Sequence, residues 1–319
     1  MAGPGDAVSG VTGAVLVVGE SLIDIVEGDG DSRSYVGGSP LNVAVGLARL
    51  GMTVDFGTEF GADDAGARIA DRLSRDGVTP IQTAAGAWPT STARARIRPD
   101  GSASYVFDLE WRFDAPPRAD GYAIVHVGSV GALREPGAHR VVELIESLPA
   151  DVLVTFDPNV RPALLASSER TRALVERYAA RANVVKLSDE DAEWLYPDDP
   201  ASAPERLLAR GAGLVVVTRG GQGSTIHTPA VELPVPSFPV EVVDTIGAGD
   251  SYMSGIIAAL VRGVGVAGAA TGAFDESDLA EVGRFAATAA GLTVSRAGAA
   301  PPTIAELDAV LQRQNLVAP

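Results

Sequence analysis

A glycine-rich turn that ends in a carboxylate carries the clearest chemistry in this chain. Residues 244–250 read Asp-Thr-Ile-Gly-Ala-Gly-Asp, and the largely apolar segment that follows predicts a helix. Gly247 and Gly249 allow the backbone N–H groups of the turn to point in one direction, while Ala248 adds almost no bulk. The start of a helix adds unpaired N–H groups and a partial positive charge. We therefore predict an anion site suited to a phosphoryl group, with Asp250 beside it as a base; an acidic helix cap is the alternative.

A second glycine-rich motif precedes another predicted helix. Residues 37–42 read Gly-Gly-Ser-Pro-Leu-Asn and lead into an apolar segment that ends at Gly51. Ser39 is suited to cap this helix, and proline suits the first helical position. The paired glycines would let a ligand approach the backbone, and Asn42 offers donors and acceptors to a polyol. From this motif alone, two roles remain open: it binds a hydroxylated ligand, or it only starts and ends the helix.

The composition excludes several kinds of function. The 319-residue chain has 25 basic and 41 acidic residues and a net charge of −16, which argues against a general affinity for nucleic acid or for an anionic membrane. The absence of cysteine excludes disulfides, thiolate chemistry and cysteine-based zinc sites. The first 12 residues lack the basic start and apolar stretch of a signal peptide, so a cytoplasmic protein is expected.

Short apolar runs alternate with longer segments at helical spacing, a pattern typical of a parallel sheet covered by helices on both faces. Polar or glycine residues follow each run, at the carboxyl ends where open parallel sheets bind their ligands. We predict a single α/β domain over residues 1–319, arranged as a three-layer α/β/α sandwich with a mainly parallel central sheet. The predicted strands are residues 15–18, 124–127, 152–156, 184–187 and 214–217, and the predicted helices are residues 40–50, 64–75, 137–147, 169–181 and 204–209.

Two segments alternate between apolar and polar residues and predict a smaller β-sheet outside the main one. Residues 34–36 and 92–108 show this alternation, with Pro99-Asp100-Gly101 as a turn. We expect these strands to form a lid, inserted from roughly residues 25–36 and 91–113, that excludes water from the ligand crevice. A hairpin with no part in the reaction and a contact between two copies of the chain are the alternatives.

These motifs resemble the signatures of the PfkB, or ribokinase-like, carbohydrate kinases. Residues 37–51 are similar to the first signature of that family and residues 243–260 to its second. Within the family, the chain is most similar to the bacterial fructokinases and 2-keto-3-deoxygluconate kinases. The resemblance implies a ribokinase-like fold and transfer of the γ-phosphoryl group of ATP to a sugar hydroxyl. It extends over nearly the whole chain through shorter segments at residues 19–24, 157–162, 186–191, 218–223 and 293–299.

The resemblance also implies roles for individual residues. Asp250 corresponds to the catalytic base, and the backbone of Gly247, Ala248 and Gly249 leads up to it as the anion hole. The positions that would bind the sugar are Asp24, Gly37, Gly38, Asn42, Asn159 and Arg161. The positions that would bind the nucleotide are Ser188, Thr218, Gly220 and Gly223.

Two departures from the family pattern concern metal ions. Asp244 and the carbonyl of Ile246 match part of a monovalent-cation site, but Pro302 replaces the serine that completes this site in some members. Potassium activation is therefore left open. Many members orient Mg²⁺ through an Asn-x-x-Glu motif, whose positions here are Ser188 and Asp191. Because Mg²⁺ keeps several of its waters, the shorter acid can still hold it through water, and ATP with Mg²⁺ is the expected cosubstrate; a helix start is the alternative role for this acidic patch.

The expected chemistry is the transfer of a proton from a sugar alcohol to Asp250 as the sugar oxygen attacks the γ-phosphorus of ATP. Fructose is the favoured sugar, with 2-keto-3-deoxygluconate, ribose and nucleosides as alternatives. Arg94, Arg96 and Arg98 bear on this choice, because they alternate along one lid strand and could meet an acidic sugar or simply face solvent.

Two other kinds of protein share some of these sequence features. A sugar or nucleotide sensor without catalysis is the alternative from another class, since a fold does not fix a function. A dinucleotide-dependent oxidoreductase is disfavoured, because the glycines near residue 220 come late and lack the strand and acidic residue of that fingerprint. Contact between two lids would make a homodimer.

Overall fold

Strands and helices alternate along the chain, as the spacing of its apolar residues predicts. The computed structural model describes residues 14–28, 31–82, 86, 88–97, 103–113, 118–119 and 121–317. The strands in these ranges are β1 (Ala14–Val18), β2 (Leu22–Gly28), β3 (Asp31–Gly37), β4 (Val54–Gly57), β5 (Val78–Ile81), β6 (Thr92–Ile97), β7 (Ala103–Asp108), β8 (Tyr122–Gly128), β9 (Leu153–Asp157), β10 (Val184–Ser188), β11 (Leu214–Thr218), β12 (Ser224–His227) and β13 (Glu232–Val235). The helices are α1 (Ser39–Arg49), α2 (Asp64–Arg75), α3 (Ser129–Leu133), α4 (Gly137–Ser147), α5 (Ser168–Ala179), α6 (Asp189–Leu195), α7 (Ala203–Arg210), α8 (Ala248–Ala259), α9 (Glu276–Val294) and α10 (Ile304–Val317).

The main sheet contains nine strands within the described ranges, in the order β13-β12-β11-β10-β9-β8-β1-β4-β5. Only β12 runs against the others in this part of the chain, since it pairs antiparallel with both of its neighbours. The five predicted apolar runs are confirmed as β1 and β8 to β11, the centre of the sheet. The four outer strands were not predicted. They are four residues long, and Pro80 and Pro234 interrupt two of them, which a sheet edge tolerates.

Side chains alternate between the two faces of the sheet and feed two separate cores. On β1, Val15 and Val17 pack with α1, α2, α8, α9 and α10, whereas Leu16 and Val18 pack with α3 to α7. Helices therefore cover both faces. This arrangement confirms the three-layer α/β/α sandwich and explains why the central strands are apolar without a break.

A second sheet of four strands, in the order β3-β2-β6-β7, is also present in the described ranges. The pair β6 and β7 is antiparallel, with Thr92 opposite Asp108, and β2 joins β6 in parallel. The small sheet predicted from sequence is thereby confirmed, with β2 as a strand that the sequence analysis did not assign. The predicted turn at residues 99–101 lies outside the described residues.

Helices α9 and α10 also escaped prediction. Buried residues occur along all of α9 from Leu279 to Thr293, so the helix lacks the single apolar stripe by which an amphipathic helix is recognised. Its start did carry a signal, because Asp275 and Asp278 form a reciprocal capping box. Among the described residues, no helix combines the length and apolar character needed to cross a membrane.

Candidate active site

Asp250 lies where the two glycine-rich motifs meet. It is the third residue of α8 and is 8% exposed. The Ser39 hydroxyl donates to its Oδ1 at 2.6 Å, and the Asn42 amide donates to its Oδ2 at 2.8 Å. Each carboxylate oxygen keeps a further lone pair, so Asp250 is fixed in orientation and can still accept a proton.

The capping role expected for Ser39 is wrong. Helix α1 begins at Ser39 itself, with Gly38 as the N-cap residue and without a side-chain cap hydrogen bond. Gly38 has φ +111°, and a Cβ there would lie 2.6 Å from the carbonyl oxygen of Glu20, so this position requires glycine. The Ser39 hydroxyl turns instead to Asp250, which lies 211 residues further along the chain. A serine before proline predicts a cap in sequence, and only the tertiary partner reveals the other role.

Close packing of α1 against α8 holds this arrangement in place. A Cβ on Gly46 would lie 2.4 Å from Ser254 Oγ, so glycine allows the helices to approach. Ser254 Oγ lies 2.9 Å from the carbonyl oxygen of Asp250 and 3.2 Å from that of Val43. A single buried hydroxyl therefore contacts the backbone of both helices next to the acidic residue.

A second carboxylate, Asp24 of β2, lies in the same cleft. A Cβ on Gly37 would lie 1.9 Å from Asp24 Oδ2, so Gly37 leaves the space that this carboxylate occupies. Burial raises the pKa of Asp24 to about 6; the Arg161 guanidinium opposes this rise and the Asp250 carboxylate adds to it. Burial also raises the pKa of Asp250, against the effect of its two hydrogen-bond donors and of nearby cations. Because the charges of Asp250 and Arg161 both act on the pKa of Asp24, the two acids and Arg161 belong to one site.

The loop after β9 brings Asn159 and Arg161 to the same edge of the sheet. Asn159 has φ +36°, in the left-handed region that asparagine tolerates better than most residues, and its N–H donates to Asp157 Oδ1 at 3.2 Å. The Arg161 guanidinium donates to the carbonyl of Val160 at 3.0 Å. The loop thus positions an amide and a cation at the carboxyl end of β9, where the sequence predicted the ligand crevice.

Ser188 and Asp191 form a reciprocal cap at the start of α6. The Asp191 N–H donates to Ser188 Oγ at 3.0 Å, and the Ser188 N–H donates to Asp191 Oδ2 at 2.9 Å. Asp191 Oδ1 accepts the N–H of Val160 at 2.7 Å. Both oxygens of this buried carboxylate therefore join the helix start to the loop after β9. The role of Ser188 toward the nucleotide, and that of Asp191 toward Mg²⁺, stay predictions.

The start of α8, where the sequence predicts an anion hole, has glycine as its N-cap residue. Gly247 is the N-cap residue with φ +78°, and a Cβ there would lie 2.9 Å from the Cβ of Ala299. The first N–H groups of a helix have no partner within the helix. The N–H of Ala248 donates to the carbonyl of Thr245 at 3.3 Å, so the donors left for an anion at this helix start are those of Gly249 and Asp250, in the same turn as the Asp250 carboxylate.

The glycines predicted to contact a nucleotide follow β11. The N–H of Arg219 donates to the carbonyl of Gly223 at 2.8 Å and closes a turn that starts at Thr218. A Cβ on Gly220 would meet no atom within 4 Å, whereas a Cβ on Gly223 would lie 2.2 Å from the carbonyl oxygen of Val235. Gly220 therefore borders open space, whereas at position 223 any larger residue would clash with the neighbouring backbone.

The residues predicted for a monovalent cation hold two loops together. Asp244 Oδ1 accepts the N–H of Ile246 at 3.0 Å, and its Oδ2 accepts the N–H of Gly298 at 2.8 Å. Pro302 is buried and supplies no hydroxyl. In the described part of the chain, no three His, Cys, Asp or Glu side chains cluster in a way that could hold a metal ion.

Two buried ionisable residues of the site, Glu20 and Lys186, have no role predicted from sequence. Glu20, which follows β1, accepts the N–H of Gly131 at 2.7 Å, and burial raises its pKa to about 7. Lys186 of β10 lies with its Nζ 2.9 Å from Asp157 Oδ2, and both side chains are almost fully buried. The available signals were an acid just after an apolar run, for Glu20, and one charged residue inside such a run, for Lys186.

Three comparisons with known proteins show the family and the fold of this chain. A sequence model described as pfkB family carbohydrate kinase matches residues 5–306. A fructokinase from Rhizobium leguminosarum bv. trifolii is 32% identical over 260 residues, which cover 77% of this chain and 79% of that protein. The crystal structure of a fructokinase with bound ATP from Xylella fastidiosa has a TM-score of 0.81 and 27% identity, covering 95% of this chain and 99% of that one. A ribokinase structure from Thermotoga maritima, 21% identical with a TM-score of 0.71, covers 94% of this chain and 99% of that one and shares the fold.

Proposed function

We propose that this chain, which belongs to the pfkB family of carbohydrate kinases, transfers the γ-phosphoryl group of ATP to a hydroxyl group of fructose. As a carbohydrate kinase, it is a phosphotransferase with an alcohol group as acceptor. One observation carries the proposal. The buried carboxylate of Asp250 is held by Ser39 and Asn42 directly at the glycine-rich start of α8.

Asp250 has the properties that a general base needs in this reaction. A sugar hydroxyl is a weak nucleophile, so its proton passes to the carboxylate as its oxygen attacks the γ-phosphorus and ADP leaves. Burial raises the pKa of Asp250 and makes it a stronger base than an exposed aspartate. The N–H groups at the start of α8 stabilise the charge of the transferring group.

The position of Arg94 supports a neutral sugar. The register of β2 and β6 sets Asp24 opposite Ala93 and Ile25 opposite Arg94. Successive side chains of a strand point to opposite faces, so Arg94 projects from the face that does not carry Asp24, and it pairs with Glu27. Arg98 and the side chain of Arg96 lie outside the described residues. Asp24, whose carboxylate suits sugar hydroxyls, is thus not accompanied by Arg94 at the cleft.

The residues near the expected phosphates fit Mg²⁺ only through water. Asp157 Oδ2 is paired with Lys186, and both oxygens of Asp191 accept backbone N–H groups. Mg²⁺ usually keeps several waters and binds through one or two carboxylates and substrate phosphates. Asp191 could therefore contact the ion through a water, and the ion would compensate charge on the ATP phosphates when bound. Potassium activation remains a prediction, because Asp244 has both oxygens engaged and Pro302 offers no ligand.

A panel of substrates tests the proposal. ADP release is measured with ATP and Mg²⁺ against fructose, ribose, 2-keto-3-deoxygluconate and nucleosides, with and without K⁺. We expect fructose to give the highest kcat/KM. Asp250→Asn should lower kcat on the order of a hundredfold or more, as for a lost general base, with unchanged thermal unfolding. Asp71→Asn, an exposed acid of α2 away from the cleft, is the control.

Other outcomes of the panel identify the alternatives. A preference for 2-keto-3-deoxygluconate, ribose or a nucleoside would keep the kinase and replace its substrate. Binding of sugar or nucleotide without ADP release from any acceptor would leave a sensor on this fold. A homodimer formed through the small sheet, closure of that sheet as a lid, and a cytoplasmic location belong to the same proposal as predictions.

A further inference from the structure

Lys186 is the only lysine in this chain. The sequence has 25 basic residues, and the other 24 are arginine. The ammonium group is compact and carries a point charge, whereas the guanidinium is a planar fork that needs more room. One lysine at a buried position of the cleft, in a chain that otherwise uses arginine, indicates a site where arginine does not fit.

The Lys186 ammonium borders the glycine turn at the start of α8. Its side chain is 4% exposed, and Nζ lies 2.9 Å from Asp157 Oδ2. A Cβ built on Gly249 would lie 3.3 Å from Nζ. The ammonium therefore lies against the backbone whose N–H groups form the anion hole, with Asp250 as the next residue.

The fold itself gives no reason for a charge at this position. Strand β10 is otherwise apolar up to its last residue, and the neighbour of Lys186 on β11 is Val216. Placing an ammonium in the interior is unfavourable, and buried ion pairs can often be replaced by apolar side chains without loss of stability. Burial lowers the pKa of Lys186, but the carboxylates of Asp157, Asp191 and Asp250 more than offset this and raise it. The group is therefore positively charged.

We propose that Lys186 is the fixed cation of the anion site, whose ammonium stabilises the negative charge of the phosphoryl group as it passes the glycine turn from ATP to the sugar oxygen. Asp157 is a positioning residue, because it holds the ammonium toward Gly249. The inference rests on the kinase function proposed above. It identifies a fixed side-chain charge that acts with the backbone N–H groups.

Four variants separate this role from a structural one. Lys186→Met removes the charge at similar length but leaves Asp157 unpaired, so Lys186→Met/Asp157→Asn removes both charges together. We expect the double variant to unfold at nearly the parent temperature and to lose kcat by about a hundredfold, as for a lost donor of an oxyanion hole, with little change in KM for fructose. Lys186→Arg keeps a positive charge, but its kcat should also be low, since the larger planar guanidinium would clash with Gly249. Arg313→Met, which removes an exposed charge from α10, should keep the parent kcat.

Binding gives a readout that does not depend on turnover. Calorimetry compares the ATP analogue AMP-PNP with ADP, both with Mg²⁺. Because the ammonium acts on the terminal phosphoryl group, the double variant should bind AMP-PNP about tenfold more weakly and ADP unchanged. The unmodified protein allows a further measurement, since ¹³C-labelled lysine gives the signal of one side chain. We expect AMP-PNP to shift the Lys186 Cε resonance more than ADP does.

The outcomes are distinguishable. Parent-like kcat in the double variant, or a lysine signal that responds equally to AMP-PNP and ADP, would overturn the proposal and leave the kinase function standing. Should no sugar or nucleoside be phosphorylated by the parent chain while AMP-PNP still shifts the lysine signal selectively, the proposed function falls and the fixed cation stands.

Discussion

Asp250 combines two properties that oppose each other at the scale of one residue. Burial favours the protonated acid, while Ser39, Asn42 and the neighbouring cations favour the carboxylate. A base must lose its proton before the reaction and accept one during it, so a raised pKa with stabilising donors suits the task. The sequence predicted the acid and Asn42 from their motifs. It could not predict the Ser39 contact, because that contact depends on how α1 packs against α8.

The pH dependence of the reaction follows from these carboxylates. Burial raises the pKa of Asp250 and raises that of Asp24 to about 6, so both acids take up protons at a higher pH than an ordinary aspartate. Their ionised forms are lost as the pH falls, and activity should fall with them. We expect kcat/KM for fructose to decline as the pH drops through about 6, measured between pH 4.5 and 8 at constant ionic strength.

Asp24→Asn supplies the control for this prediction. It removes the carboxylate whose pKa burial raises to about 6 and whose charge repels that of Asp250. The acid limb of kcat/KM should therefore move to lower pH, even where the KM of the variant for fructose is higher. A limb near 4 in the parent chain, the ordinary aspartate range, would contradict the assignment of the buried acids.

At the scale of elements, two helix ends hold the loop behind the proposed anion hole. Asp76, just after α2, lies 3.0 Å from Arg49 Nε and 2.6 Å from Arg72 Nε. The same guanidinium groups donate to the carbonyl oxygens of Pro301, at 2.6 Å, and Ala299, at 3.2 Å. Ala299 in turn packs against the glycine N-cap of α8. The tether formed by Arg49, Arg72 and Asp76 thus links the ends of α1 and α2 to the backbone at the start of α8.

Loosening this tether should affect stability and turnover together. Asp76→Asn leaves Arg49 and Arg72 without their shared anion, which we expect to lower the free energy of unfolding by about 2 kcal/mol. Because the loop behind the anion hole loses its support, kcat should fall several-fold while KM for fructose changes little. Urea unfolding and initial rates check this, with the exposed Asp71→Asn of the same helix as control. Parent-like kcat beside a clear loss of stability would show that the tether serves the fold alone.

The small sheet exposes an edge that suits a second copy of the chain. Strand β7 lies at the edge of that sheet, and Val106 on it is 65% exposed. Unpaired edges with exposed apolar side chains favour strand pairing between molecules. We predict a homodimer in sedimentation velocity that Val106→Lys converts to monomer. Leu316→Lys, at an 85% exposed leucine of α10, should leave the dimer intact; a parent chain that sediments as a monomer would contradict the prediction.

The elements differ in how far the sequence could predict them. The central strands were recognised because both of their faces are buried and their apolar runs are continuous. Lys186 was given no role for the same reason, since one charged residue does not break such a run. Helix α9 was missed because it is buried along its length, and β5 because Pro80 hides a short edge strand. Motifs made of consecutive residues were accessible to sequence, whereas contacts between distant segments required the fold.

For the molecule as a whole, the cleft concentrates negative charge in a chain that is already acidic. Glu20, Asp24, Asp157 and Asp250 are all buried or nearly so, and burial raises the pKa of each. Groups of this kind destabilise the folded state when they are ionised. Ionisation of these acids therefore lowers the free energy of unfolding, and packing in the two cores must offset that loss. The hydrogen bonds and cations around the acids reduce it.

Glu20 makes this loss measurable. Its pKa in the folded chain is about 7, against 4.5 for an ordinary glutamate, so the folded state keeps a proton that the unfolded state releases. The stability that this proton contributes is present at low pH and is lost as the pH rises through 7. Raising the pH from 5.5 to 8 should lower the free energy of unfolding by about 2 kcal/mol through this residue.

Glu20→Gln, which keeps an acceptor for the N–H of Gly131, should remove that part of the pH dependence in urea unfolding, whereas Glu190→Gln on the exposed start of α6 should not. His126 does not disturb the comparison, because burial lowers its pKa to about 3 in both proteins and its opposite effect cancels. Equal slopes of stability against pH in the parent and Glu20→Gln would show that Glu20 is ionised in the folded chain at neutral pH.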